Sequence, residues 1–290
     1  MDFSLPSPVT EHTFRNYPFF LKRDDLIHPA FSGNKARKFF YFLTRRFPDV
    51  HTIVSYGSAQ SNAMYSLSVL AKMRGWRFVY AAHHITPALK ADPHGNFKAA
   101  LANGMELIEG YEAINVWKER PGVLFIEEGG RMREAEEGLK RLADEIVAWQ
   151  NERRIERLNV FLPSGTGTTA LFLQKHLPAS VTVFTVPCVG DAAYLHKQFR
   201  MLENEASYYP VILTPPKRYR FGKLYQEHYA MWQALRNETG VTFDLLYDPV
   251  GWHTLLHHGL LEQDVPLLYV HQGGLKGNES MIKRYREAPL

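Results

Sequence analysis

Between residues 51 and 270 the chain alternates short apolar runs of strand character with longer runs at helical spacing. This rhythm constrains the fold more than any single motif. Residues 51–55, 77–81, 105–108, 123–126, 158–162, 181–186, 242–246 and 266–270 read as strands. Helices are expected over 63–74, 97–102, 133–152, a segment ending at His176, 191–204 and 223–238; Leu139, Leu142, Ile146 and Trp149 share one stripe of the third of them. Strands and helices in alternation predict an α/β chain with mostly parallel sheets and helices on both faces. No repeat at a solenoid period interrupts the pattern.

A chain of 290 residues can bury one large or two moderate cores, and 45% hydrophobic with 22% charged residues is ordinary for a globular protein. No apolar run reaches the roughly 18 residues that span a bilayer. The start, Met1 to Pro6, lacks a basic region followed by an apolar one, so a cytoplasmic protein without a membrane partner is expected. The single Cys188 follows an apolar strand and reads as a core residue. A net charge of +4 is spread over short basic clusters with no nucleic-acid-binding module, so nucleic acid is not expected as a partner.

The chemistry is expected at Ser32-Gly33-Asn34-Lys35-Ala36-Arg37-Lys38, which follows the strand-like run 19–25 and precedes an aromatic helical stretch. Gly33 permits a tight backbone and Asn34 is a good helix N-cap, which puts Lys35 in a first turn where the helix dipole opposes a cation. An amine nucleophile needs a lowered pKa, and burial, the dipole or the cations Arg37 and Lys38 would lower it. The heptapeptide alone also fits a basic, solvated helix face.

Gly165-Thr166-Gly167-Thr168-Thr169-Ala170 lies between a strand and a helix, where free N–H groups and the helix dipole receive anions. It also satisfies the dinucleotide pattern G-x-G-x-x-A, yet Thr185, Val186 and Pro187 stand where a ribose-binding acid belongs. The threonine hydroxyls suit a compact phosphate monoester. Gly57-Ser58-Ala59-Gln60-Ser61-Asn62 is a second strand-to-helix turn, where Ser61 or Asn62 can cap the helix. His253, His257 and His258 lack an evident third ligand, so no metal is expected.

Taken in order, the run 20–38, Gly57 to Asn62, Ser164 to Thr169, and Tyr269-Val270-His271-Gln272-Gly273-Gly274 resemble the 1-aminocyclopropane-1-carboxylate deaminase and D-cysteine desulfhydrase family. The resemblance implies the two-domain tryptophan synthase β-like fold (fold type II), pyridoxal 5'-phosphate as cofactor, and a small amino acid as substrate. Deamination would proceed by α,β-elimination or cyclopropane ring opening, in a homodimer. By the same resemblance Lys35 holds the cofactor aldehyde and Gly165, Thr166, Gly167, Thr168 and Thr169 cup its phosphate. Asn62 lies against the ring and its 3-oxygen, and Gln272 belongs to the cofactor site. Ser58, Gln60, Ser61 and Asn62 receive the substrate, with Ser61 serving in proton transfer. The implied domains are 1–46 with 152–290 around the cofactor, and a smaller inserted unit of 47–151, with the crossing near 150–154.

Three departures qualify the activity. Ala63 is smaller and less polar than the family's residue after the asparagine. Gly251 and Trp252 follow Asp248-Pro249-Val250 where the deaminases carry a tyrosine and a glutamate, and Gln272 replaces the threonine of the desulfhydrases. A weaker electron sink is therefore expected, with Tyr56 or Tyr219 as substitutes for the missing tyrosine. A cofactor-binding protein without turnover is the rival reading, and an NAD-dependent oxidoreductase a third.

Overall fold

The computed structural model describes residues 3–82 and 84–288. The chain enters as a hairpin, β1 (Val9–Phe14) and β2 (Tyr17–Lys22), turned by Arg15 and Asn16 at φ 50° and 68°. The strand read over 19–25 stops at Lys22, because Asp24–Leu26 closes into a 3-10 turn. Helix α1 (Gly33–Thr44) follows. Next come β3 (Thr52–Gly57), α2 (Asn62–Arg74), β4 (Arg77–Ala82), α3 (Pro87–Ala91), α4 (Gly95–Ala102), β5 (Met105–Glu109), α5 (Glu112–Lys118) and β6 (Val123–Ile126). Their strands form a parallel sheet in the order β5-β4-β3-β6.

The remainder runs α6 (Ala135–Glu152), β7 (Leu158–Ser164), α7 (Thr168–His176), β8 (Val181–Pro187), α8 (Ala192–Arg200), β9 (Val211–Ile212), α9 (Gln226–Thr239), α10 (Asp248–His257), β10 (Leu267–Val270) and α11 (Asn278–Glu287). Here the sheet order is β1-β2-β10-β7-β8-β9, parallel except at β1. Strand β7 is buried along its whole length, as a central parallel strand with both faces covered must be.

Residues 242–246 are not a strand. The Asp244 Oδ1 atom accepts from the backbone N–H groups of Leu246 and Tyr247 at 2.8 Å, and Asp244 N donates to Asp248 Oδ2 at 2.7 Å. These side-chain bonds curl the backbone into the turn that opens α10, in competition with a ladder.

Packing settles where the helices serve. Leu139, Leu142 and Ile146 of α6 pack with Val160 and Leu162 of the six-stranded sheet and with Phe172 of α7. Phe39 and Phe42 of α1 pack with Ile53 and Phe78 of the four-stranded one. Helix α1 also packs against α6, which places it between the four-stranded sheet and the helix that covers the six-stranded one. We keep the two-unit division as a proposal, and the packing of α6 argues for a crossing just before that helix instead of after it.

Candidate active site

The start of α1 is fixed by a close backbone approach. Gly33 has φ +65°, and a Cβ there would lie 1.8 Å from the Gln272 carbonyl oxygen, so no larger residue fits. Asn34 N donates to that carbonyl at 3.1 Å and Asn34 Nδ2 to Gln272 Oε1 at 2.9 Å. Ser32, not Asn34, is the N-cap, and its side chain makes no capping bond. The asparagine is used instead to tie the lysine-bearing turn to the loop after β10.

Lys35 stands half-buried at a cavity of 830 Å³ between the sheets, with Nζ 3.2 Å from Asn34 Oδ1. Burial lowers its pKa to about 8, and the Asp244 carboxylate opposes the shift. Three residues on, Lys38 faces the same cavity from the same side of the helix and among the described residues is held only by the Gly129 carbonyl, at 3.1 Å. Its pKa is pushed well below the usual lysine value by burial first, then by Lys35 and Arg131. Arg37, expected to act on Lys35, turns away to Asp24 and Glu145. Two lysines facing one cavity, with no carboxylate bound to either among the described residues, make a place for an anion.

The acceptor of that anion lies across the cavity at the end of β7. Gly167, at φ +72°, caps α7. Thr166 Oγ1 lies 3.1 Å from Thr168 Oγ1, and the buried Thr169 Oγ1 has no hydrogen-bond partner among the described residues. A buried hydroxyl without a partner at a helix start, facing a lysine, fits a phosphate oxygen. Thr185, Val186 and Pro187 end β8 beside this loop without a carboxylate, and Thr185 Oγ1 is taken up by Ser164 and the Leu162 carbonyl. A ribose hydroxyl would find no acid there.

The turn before α2 forms the third wall. Ser61 is the N-cap, its Oγ accepting from Ala63 N at 3.1 Å and Met64 N at 3.4 Å, and Gln60 N donates to Ser58 Oγ at 3.2 Å. Asn62 is held by Asn96 Nδ2 at 2.6 Å and donates to Asp244 Oδ2 at 3.4 Å. Lys35, Ser58, Gln60, Ser61, Asn62, Gly165, Thr166, Gly167, Thr168, Thr169 and Gln272 all line the one cavity.

The residues after Asp248-Pro249-Val250 do not line it. Trp252 is fully buried, stacks on Tyr269 at 5.0 Å and 13°, and its Nε1 has no partner among the described residues. A Cβ on Gly251 would meet Tyr269 Oη at 3.0 Å and Phe161 at 3.2 Å, again in the core. The carboxylates facing the cavity are instead Asp244, Asp248 and Glu128. Burial raises all three above the usual range, and for Asp248 the neighbouring Asp244 adds to it. Of the tyrosines, Tyr56 is bound to Glu127 at 2.6 Å and Tyr219 packs on His228, so neither expected substitute reaches the cavity; Tyr111, Tyr194 and Tyr247 do. Among the described residues no group of three side chains could hold a metal. His253 and His258 meet the carbonyls of Glu227 and Thr214.

No family model matches the chain. A curated rice protein (Oryza sativa subsp. japonica), putative D-cysteine desulfhydrase 2, mitochondrial, is 22% identical, covering 92% of this chain and 80% of its own length. Among solved structures, an ACC deaminase homologue has a TM-score of 0.79 at 17% identity, covering 98% of this chain and 94% of that one. O-ureido-L-serine-bound O-ureido-L-serine synthase gives 0.70 at 16%, over 98% and 92%. A threonine deaminase from T.th. gives 0.67 at 13%, over 92% of each. The fold is thus the two-sheet fold type II architecture. The curated relative and the solved structures support the resemblance read from the four motifs.

Proposed function

We propose that the chain is a pyridoxal-phosphate-dependent lyase that deaminates a small amino acid by α,β-elimination. The observation that carries this reading is the pairing, across one cavity, of a lysine with its pKa lowered to about 8 and a helix start whose buried Thr169 hydroxyl lacks a partner. When bound, the cofactor supplies an aldehyde for amines and a ring that delocalises the electron pair left at Cα. Lys35 holds the aldehyde and then moves the proton at Cα as acid or base. Lys38 and the hydroxyls of Thr166, Thr168 and Thr169 hold the phosphate. Asn62, clamped by Asn96, orients the ring, while Ser58, Gln60 and Ser61 at the start of α2 receive the substrate carboxylate. Asp244, beside Lys35 and Asn62, keeps a carboxylate in the cavity, which weakens the case for lost turnover built on Trp252. A homodimer in the cytoplasm completes the proposal.

A β-substituted alanine asks less of the protein than a cyclopropane, because departure of the leaving group drains the electron pair as it forms. Pyruvate and ammonia should therefore appear faster from β-chloroalanine or D-cysteine than 2-oxobutyrate and ammonia from 1-aminocyclopropane-1-carboxylate, judged by kcat/KM on one preparation. Faster ring opening would reverse the assignment, and no turnover of either by cofactor-loaded protein would favour the binding-protein reading.

Two further results are expected. Thr169→Val keeps the shape and removes the hydroxyl, so cofactor affinity should fall about tenfold, the value of one charge-assisted bond. Equilibrium titration of the folded variant checks this, and unchanged affinity contradicts it. Gly167→Asp is the less clean change, since a Cβ there would meet Phe199 at 2.4 Å. The second result concerns pH. Only the neutral amine attacks an aldehyde, so the rate of cofactor attachment should rise with pH and level off above about 8 rather than near 10.5. The same shift makes the ammonium form unfavourable in the folded state below about pH 8, a penalty that vanishes above the unfolded value. Stopped-flow absorbance over a pH series decides it; a rate still climbing at pH 10 contradicts the lowered pKa.

A further inference from the structure

Glu128 opens the 3-10 turn after β6 and faces the cavity from the four-stranded sheet. Its Oε1 lies 3.0 Å from the point where a Cβ on Gly57 would sit, and Tyr80 Oη lies 2.7 Å from that same point. Tyr80 Oη in turn donates to the Ser58 carbonyl at 3.0 Å, so the carboxylate stands beside the turn that leads into α2. On its other side Gly129 approaches the anion loop, where its Cβ would lie 3.2 Å from Thr166 Cγ2. Glu128 thus sits between the two loops that hold the substrate and the phosphate in the reading above.

The other two cavity carboxylates are occupied. Asp244 accepts from Leu246 N and Tyr247 N, and Asp248 from Tyr269 Oη and Asp244 N. The Glu128 carboxylate accepts no hydrogen bond from any described residue; the nearby Arg131 charge opposes the upward shift that burial gives it, while the guanidinium itself meets Glu127 at 3.6 Å and Gln198. The charge of Glu128 reaches the hydroxyls of Tyr80, Tyr111 and Tyr194, two of which line the cavity. An unpaired carboxylate among aromatic rings favours an ammonium group and repels a second carboxylate.

We propose that Glu128 reads the substrate side chain, selecting small α-amino acids that carry a distal ammonium group and rejecting those with a distal carboxylate. The inference rests on the functional reading above, since it takes the α-amino and α-carboxylate groups to be held by Lys35 and the Ser58–Asn62 turn. The amine would be carried by the group that leaves or by the atoms beyond Cβ.

The test uses cofactor-loaded protein and racemic ligands that cannot eliminate at Cβ: 2,4-diaminobutyrate, norvaline, in which a methyl replaces the ammonium, and glutamate. Spectral titration should give 2,4-diaminobutyrate an affinity about tenfold above norvaline, with glutamate the weakest. In Glu128→Gln the ratio of the first two affinities should fall close to one, and in Glu128→Lys the order of 2,4-diaminobutyrate and glutamate should reverse. Equal affinities in the parent protein, or a preference that survives Glu128→Gln, overturns the inference while leaving cofactor binding and the lyase reading intact. A protein that takes up no cofactor overturns both.

Discussion

Lys35→Ala should lower kcat/KM for β-chloroalanine by about a thousandfold or more while the protein still folds. The lysine has two tasks in the proposed mechanism, holding the aldehyde and moving the Cα proton, and acid–base catalysis alone contributes about 10²–10⁴-fold. Removing a half-buried amine whose ammonium form is disfavoured takes no stabilising ion pair from the fold, since among the described residues the only hydrogen bond of Nζ is the one to Asn34. Loss of turnover with an unfolding midpoint that is unchanged or raised below about pH 8 is therefore the expected pair of results. Retention of a tenth of the activity would mean that another group, with Lys38 the nearest alternative on the same face, carries the chemistry.

Arg37→Met should instead cost stability, by about 3–5 kcal/mol, the range for breaking a buried ion pair from one side. The guanidinium meets Asp24 with Nε at 3.0 Å and Nη2 at 2.7 Å, and Glu145 with Nη1 at 2.7 Å. Lys22 joins through Glu145 Oε2 at 2.6 Å, and Ser7 Oγ donates to Asp24 Oδ1 at 2.6 Å. Arg37 is 2% exposed and Asp24 0%, so the methionine variant strands a carboxylate that water cannot reach. The network joins β2, the 3-10 turn after it, α1 and α6. Arg45→Ala is the matched control. Its pair with Glu137 is 60% and 25% exposed, and an exposed pair is worth at most about 1 kcal/mol. Denaturant unfolding of both variants compares them; similar losses would mean that the buried network carries no special weight.

The strand and helix rhythm was legible because central parallel strands such as β7 and β8 are buried and read as apolar runs. Edge strand β1 exposes Glu11 and Thr13 and has no such run, so it left no signal. Residues 242–246 carried the signal and did not form the strand, because Asp244 turned the backbone locally. The site was legible where short loops carry it whole, as in Gly165 to Thr169 and Ser58 to Asn62. It was not legible where it depends on side-chain direction. Gly251 and Trp252 occupy the matching positions of the motif, yet the stacking of Trp252 on Tyr269 turns that face of α10 into the core. Lys38 was readable in principle, three residues after Lys35 on the same helical face, as was the turn of Arg37 away from that face at two residues. Glu128 was not, since only the pairing of β3 with β6 brings it to Gly57.

The central claim is that Lys35 is the residue that takes the cofactor aldehyde. Purified protein mixed with pyridoxal phosphate, reduced with borohydride and cut into peptides should carry the label on Lys35, with a visible absorption band beforehand that reduction removes. A label on Lys38 or Lys22, or no band at saturating cofactor, would contradict the account.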